Sequence, residues 1–295
     1  MTKVVSSCMK SENAQPPAMR TRLGVEEPDD KWSGQMDEQK QGRKGLSPGS
    51  MIGSHFNIVD QEKFASAIQL LKESLWDKGA TLFSADNLIT WNKNLSFLRD
   101  PFCYGILTDE HASLSEKSII WRTYILLHFA EFACAVEGDF AEFGCYNGHT
   151  ALQIVRKLDL GALGKRLYLY DLFEWKEGDA HTRHIGLDNP NMYEDVCERF
   201  RAFEFVRVIK GSVPGSFEQG FPEKIAFAHI DMNHPDPEVG ALKAILPRLT
   251  RGGVVILDDY GWWGYSPQKV ALDPIIREHG LKVLELQTGQ GLLIR

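Results

Sequence analysis

From Asp139 onward, short apolar runs alternate with amphipathic segments. The runs Phe140–Gly144, Leu167–Asp171, Val206–Gly211, Ile225–Asp231 and Val254–Asp258 predict strands. The segments at about Thr150–Leu158, Met192–Phe203, Pro237–Leu249 and Pro267–His279 predict helices. This alternation implies an α/β fold with a parallel sheet and helices on both faces. Two further runs, Lys282–Leu286 and Gly291–Arg295, surround a polar turn and predict a C-terminal hairpin, so the last strand should run antiparallel to its neighbour.

Upstream the pattern is helical. Phe64, Ile68, Leu71 and Leu75 recur at spacings of three and four and form one apolar face. A second helix is expected after Ser84 to Asp86, lined by Trp91, Leu95 and Leu98, and a third from Ser113, where Glu116 completes a capping box. Residues 1–50 carry one aromatic, Trp32, among polar residues, and read as a disordered tail, because such a segment buries too little to offset its ordering entropy. The expected organisation is a tail over 1–50, a helical region over 51–138 and an α/β domain over 139–295.

Composition narrows the function. The 295-residue chain has a formal net charge of −7, which argues against a general nucleic-acid binder. Its five cysteines form no CxxC pair, so neither a zinc site nor a disulfide framework is indicated, and free thiols fit a reducing cytoplasm. No membrane span is expected. A homo-oligomer is compatible with the sequence.

Candidate chemistry concentrates where the predicted strands end. Gly144 and Gly148 bracket a tight turn between the first strand of the domain and its helix, where backbone can approach a ligand. Their G-x-x-x-G spacing is neither the G-x-G-x-x-G of nicotinamide and flavin enzymes nor a P-loop. The Glu142 carboxylate would repel a pyrophosphate but suits a cation such as S-adenosylmethionine (SAM). Tyr146 and Thr150 lie in the same turn. Asp171 ends the second strand, where an acid can accept ribose hydroxyls, and Leu172 follows it. Ser212, after the third strand, is placed to border an adenine.

Three acids end later strands: Asp231, Asp258 and Asp259. Converging carboxylates repel and call for a cation, and a hard divalent ion such as Mg²⁺ fits oxygen donors. Adjacent strand residues point to opposite faces, so Asp258 and Asp259 can share an ion only if the chain turns there. His234 is a candidate general base, whereas His229, inside its strand, is expected to pack or hydrogen-bond. The long stretch 172–191, with Trp175, His181 and His184, reads as a lid or binding loop. Trp262 and Trp263 either help enclose a substrate or fill a helix–sheet gap.

The strings GDFAEFGCYNG (138–148), LYDLFE (169–174), IDMN (230–233) and GGVVILDDY (252–260) resemble the macrocin O-methyltransferase family over about residues 115–295. The resemblance implies a class I, Rossmann-like seven-stranded methyltransferase sheet, SAM as methyl donor and O-methylation of a sugar or natural-product hydroxyl. It also implies a divalent metal, typically Mg²⁺, on Asp231, Asp258 and Asp259, with Asp231 as a candidate base. The chain departs from the family's Asp-x-Asp-x-Tyr after the fourth strand, reading Asp231-Met-Asn233-His234 instead. Carbon or nitrogen methylation, a nicotinamide-dependent oxidoreductase and a noncatalytic SAM-binding or assembly protein are the alternatives.

Overall fold

The computed structural model describes residues 50–75, 81–174 and 189–295. The expected tail, apart from Ser50, and the loop residues Trp175, His181 and His184 lie outside the described residues.

The N-terminal region begins with β1 (Met51–Ile52) and α1 (Gln61–Ser74). Asp60 caps α1 by accepting from Lys63 N–H, and of its apolar face Ile68 is fully buried. Where the spacing of Trp91, Leu95 and Leu98 predicts a helix, the chain instead forms a hairpin of β2 (Leu82–Ala85) and β3 (Leu88–Trp91). The reason lies in the turn. Asp86 and Asn87 both take positive φ, 53° and 56°, the pair of left-handed residues that joins twisted antiparallel strands through two residues. Strand β1 adds in parallel to β2, giving a small three-stranded sheet that the sequence reading did not anticipate.

A 3₁₀ turn over Ser96–Arg99 leads into α2 (Pro101–Thr108), capped by Asp100. The expected capping box is present: Ser113 Oγ accepts from Glu116 N–H while Glu116 accepts from Ser113 N–H, starting the short α3 (Leu114–Ser118). Helix α4 (Ile120–Ala133) follows directly.

The domain proper contains β4 (Asp139–Phe143), α5 (His149–Lys157), β5 (Leu167–Asp171), α6 (Met192–Phe200), β6 (Val206–Lys210), β7 (Ile225–Ile230), α7 (Pro235–Ile245), β8 (Leu249–Leu257), α8 (Ser266–Glu278), β9 (Val283–Glu285) and β10 (Gly291–Ile294). The seven strands lie in the order β6-β5-β4-β7-β8-β10-β9. Five are parallel, and β10 inserts antiparallel between β8 and β9. This is the expected Rossmann-like methyltransferase sheet, with its order reversing at β4 and its hairpin at the far edge.

Alternate strand residues feed two cores. Phe140, Leu169, Phe227 and Ile256 pack on one face with Leu126, Leu127 and Ala130 of α4 and Ala151 and Ile154 of α5. Ala141, Phe143, Tyr170, Ala228 and Val255 pack on the other with Leu242 and Ile245 of α7 and Leu272 and Ile276 of α8. Helix α4 is therefore a layer of the α/β domain, although the sequence reading assigned it to a separate helical region. That placement matters for the site, because Glu142 and His229 share α4's side of the sheet. They are direct cross-strand partners in register, on strands whose alternation points both the same way.

Candidate active site

Hydrogen bonds between successive strand ends build one rim. Asp231 N–H donates to the Phe143 carbonyl at 2.8 Å, Asp258 N–H to the Ile230 carbonyl at 2.9 Å, and Gly211 N–H to the Asp171 carbonyl at 2.9 Å. The glycine loop, Asp171, Ser212, Asp231 and the Asp258–Asp259 pair thus stand side by side at the carboxyl ends of β4 to β8.

In the loop, Gly144 has φ +88°, and a Cβ there would lie 1.9 Å from the Asp231 carbonyl oxygen. A Cβ on Gly148, φ +73°, would meet the Phe200 ring at 2.7 Å. The sequence reading expects these glycines to admit a ligand; in the structure both are required by the protein's own packing, which seats the loop against the end of β7 and α6. Asp171 ties the loop down from the other side, its carboxylate accepting from Tyr146 N–H at 2.7 Å and from Phe173 N–H at 2.9 Å. Tyr146 is half-buried, Thr150 lies in the first turn of α5, and Leu172 and Ser212 are exposed.

Glu142 is buried beneath this loop. Its Oε1 pairs with His229 Nδ1 at 2.8 Å, and its Oε2 is buried with no hydrogen-bond partner. An unpaired carboxylate oxygen in the interior is costly, and a cationic ligand group would satisfy it. The other imidazole nitrogen, His229 Nε2, faces Asp258 Oδ1 at 3.4 Å. Burial disfavours the imidazolium, but the hydrogen bonds to Asp258 and Glu142 more than offset it, and the ring is pushed up to about 10. His229 therefore hydrogen-bonds, as its place inside the strand suggests.

The acids cluster at the β7–β8 end. Strand β8 stops at Leu257, and residues 258–260 turn, so Asp258 and Asp259 both face Arg122 of α4. The turn resolves the alternation that would have sent them to opposite faces. Asp258 is the most tightly held: Oδ2 accepts from Arg122 Nη1 at 2.5 Å, and Oδ1 accepts from Gln290 Nε2 at 3.0 Å. Although burial opposes its charge, Arg122, followed by His229, holds its carboxyl below the usual range. Asp231 and Asp259 fare differently. Burial, then Asp258, pushes Asp231 up to about 8. Burial, then Asp231 and Asp258, pushes Asp259 well above the usual range. Asp231 and Asp259 thus have less counter-charge than Asp258: Arg122 Nη1 lies 3.9 Å from Asp259 Oδ1 against 2.5 Å from Asp258 Oδ2.

An oxygen-donor set short of positive charge fits a hard divalent cation. His229, Asp231 and Asp258 each offer an atom within 4.8 Å of the others. Asp259 is outside this group of three, and both nitrogens of His229 already face carboxylates. His234 caps α7, its Nδ1 accepting from Asp236 N–H at 3.3 Å.

Sequence reasoning missed Arg122, Asp86, Glu238, Tyr265 and Gln290. Arg122 left a signal: it is a lone cation in the otherwise apolar start of α4, and a buried arginine demands acids. Glu238 in α7 is buried and accepts from Gln268 Nε2 at 2.6 Å. Burial pushes it up to about 7. The Tyr265 hydroxyl is pushed up to about 12 by burial and then by the charges of Asp259 and Asp231. Trp262 lies against Arg122, whose guanidinium is 5.5 Å from its ring centroid, whereas Trp263 is 93% exposed.

Residues 141–260, from β4 to the turn after β8, match the family model described as a methyltransferase domain, so this stretch is a methyltransferase domain. No curated protein matches the chain in sequence. Among solved structures, the chain is similar to the O-methyltransferase NovP, at 21% identity over 60% of this chain and 80% of that one, with a TM-score of 0.48. It is also similar to CalS11, a calicheamicin methyltransferase, at 15% identity over 82% of this chain and 95% of that one, TM-score 0.48. A third is the SAH-bound methyltransferase PaMTH1 of Podospora anserina, at 15% identity over 81% and 97%, TM-score 0.42. Among the described residues no helix is long and apolar enough to cross a membrane.

Proposed function

We propose that this methyltransferase domain transfers the methyl group of SAM to a hydroxyl oxygen of a small molecule, such as a sugar, a glycoside or a natural-product intermediate. The observation that carries this reading is the junction of two subsites. The glycine loop and the carboxylate rim meet at Gly144 and Asp231, joined by the Phe143–Asp231 backbone hydrogen bond.

Glu142 would pair its free Oε2 with the amino group of SAM, and Asp171 would receive the ribose beside the Gly144–Gly148 turn, with Tyr146, Thr150, Leu172 and Ser212 around it. Asp231, Asp258 and Asp259 would hold a divalent cation, taken as Mg²⁺. When bound, SAM supplies an activated methyl group, and Mg²⁺ supplies positive charge that acidifies a hydroxyl. Asp231 is the base this reading favours, because it stands at the junction of the glycine loop and the rim. His234 ranks second because its Nδ1 is used in capping α7. Most of the rate gain would come from holding donor and acceptor in line.

The test is mass spectrometry with methyl-deuterated SAM, Mg²⁺ and a panel of sugar and natural-product alcohols. The reading expects a labelled methyl ether on a hydroxyl. Label on carbon or nitrogen would overturn the O-methyl assignment, and no label on any acceptor would favour a noncatalytic SAM-binding protein.

A further inference from the structure

Arg122 joins the acid rim to the N-terminal hairpin. Its Nε and Nη2 donate to Asp86 Oδ2 and Oδ1 at 2.7 and 2.8 Å, a two-pronged grip from the β2–β3 turn. Its remaining terminal nitrogen, Nη1, donates to Asp258 Oδ2 at 2.5 Å and lies 3.9 Å from Asp259 Oδ1. Asp86 is 5% exposed and Asp258 6%, so the pair is enclosed and poorly screened by solvent. The Trp262 ring lies alongside the guanidinium. A planar fork fixed on one side by a bidentate carboxylate can address the acid on its other side in one orientation only.

We infer that Arg122 is a positioning residue and built-in counter-ion of the rim: clamped by Asp86, it orients Asp258 and competes with the divalent cation for the charge of Asp258 and Asp259. This rests on the proposed metal reading and adds to it that the affinity for the ion is set from outside the strand ends, by a hairpin that the methyltransferase-domain match does not reach. Arg122 touches neither reacting group, so its effect passes through Asp258.

A charge-competition role has a sign that a merely structural role lacks. Removing the cation in Arg122→Met leaves the rim more negative, so the Mn²⁺ dissociation constant, read by electron paramagnetic resonance on the full chain, should fall by about tenfold or more. Turnover should decline at the same time, because Asp258 loses its orientation. Arg122→Lys retains the charge and should return the constant to near the wild-type value. Asp86→Asn releases Arg122 toward the rim, so Mn²⁺ should bind several-fold more weakly. If Arg122→Met fails to fold alone, added Mn²⁺ should restore its melting transition by supplying the missing cation, and no restoration overturns the inference. Wild type that binds Mn²⁺ while folded Arg122→Met binds it equally or more weakly overturns the inference and leaves the metal reading standing. Neither protein binding Mn²⁺ overturns the metal reading, and the inference with it.

Discussion

Gly144→Ala probes the joint between the two subsites. An alanine Cβ would lie 1.9 Å from the Asp231 carbonyl oxygen and 2.6 Å from its carbon, with the backbone at φ +88°. Two costs follow. A side chain at positive φ costs about 1–2 kcal/mol, and overpacking that forces backbone to shift costs about 1–3 kcal/mol more. The total, about 2–5 kcal/mol, should lower the melting temperature by roughly 5–20 °C for a domain of this size. Gly164→Ala is the internal control. It shares the positive φ, at +65°, but nothing lies within 4 Å of its Cβ, so only the conformational cost applies. The contact term is the difference between the two variants, read from paired thermal melts. Because the displaced carbonyl belongs to Asp231, Gly144→Ala should also weaken SAM and divalent-ion binding together, measured by calorimetry. Equal melting shifts in the two variants, or a Gly144→Ala protein that binds both ligands normally, would refute the close packing of loop and rim.

Glu142→Gln keeps an acceptor for His229 but removes the charge on the unpaired Oε2, and should weaken SAM binding by about 1–3 kcal/mol in calorimetry; unchanged affinity would remove Glu142 from the cofactor subsite. Glu238 gives a pH signature in metal-free protein. Its folded carboxyl is raised from 4.5 to about 7, so the folded state holds the extra proton, and its contribution to stability is present below pH 4.5 and lost as pH rises to about 7. Relative to wild type, Glu238→Gln should therefore gain about 3 kcal/mol across that window in urea titrations, and a pH-independent difference would contradict the buried-acid assignment. Chelation should abolish turnover while leaving SAM binding largely intact; full activity in excess chelator, with no metal found in the purified protein, would remove the metal and leave Asp231 or His234 as the base.

The sheet was legible because its strands are apolar runs ending in conspicuous acids and glycines. Leu167–Asp171 coincides with β5, and the C-terminal hairpin falls where Lys282–Leu286 and Gly291–Arg295 place it. The β2–β3 hairpin was not legible. Leu82–Ala85 is buried at every position and so lacks alternation, while Asp86 reads equally well as a helix cap or a turn residue. The acids of the rim could be located, but their inequality could not. It depends on Arg122, whose partners lie 36 and 136 positions away in the chain, and on Gln290 from the hairpin. The role of Gly144 was hidden for the same reason, since the Asp231 carbonyl that excludes a Cβ becomes its neighbour only when β7 pairs with β4.

The most direct test of the central claim is calorimetry of the full chain against SAM and, separately, against NAD. The Glu142 carboxylate and the G-x-x-x-G turn predict that SAM binds, that Asp171→Ala weakens it, and that NAD gives no heat of binding. Tight NAD binding with no SAM binding would contradict the account at its base.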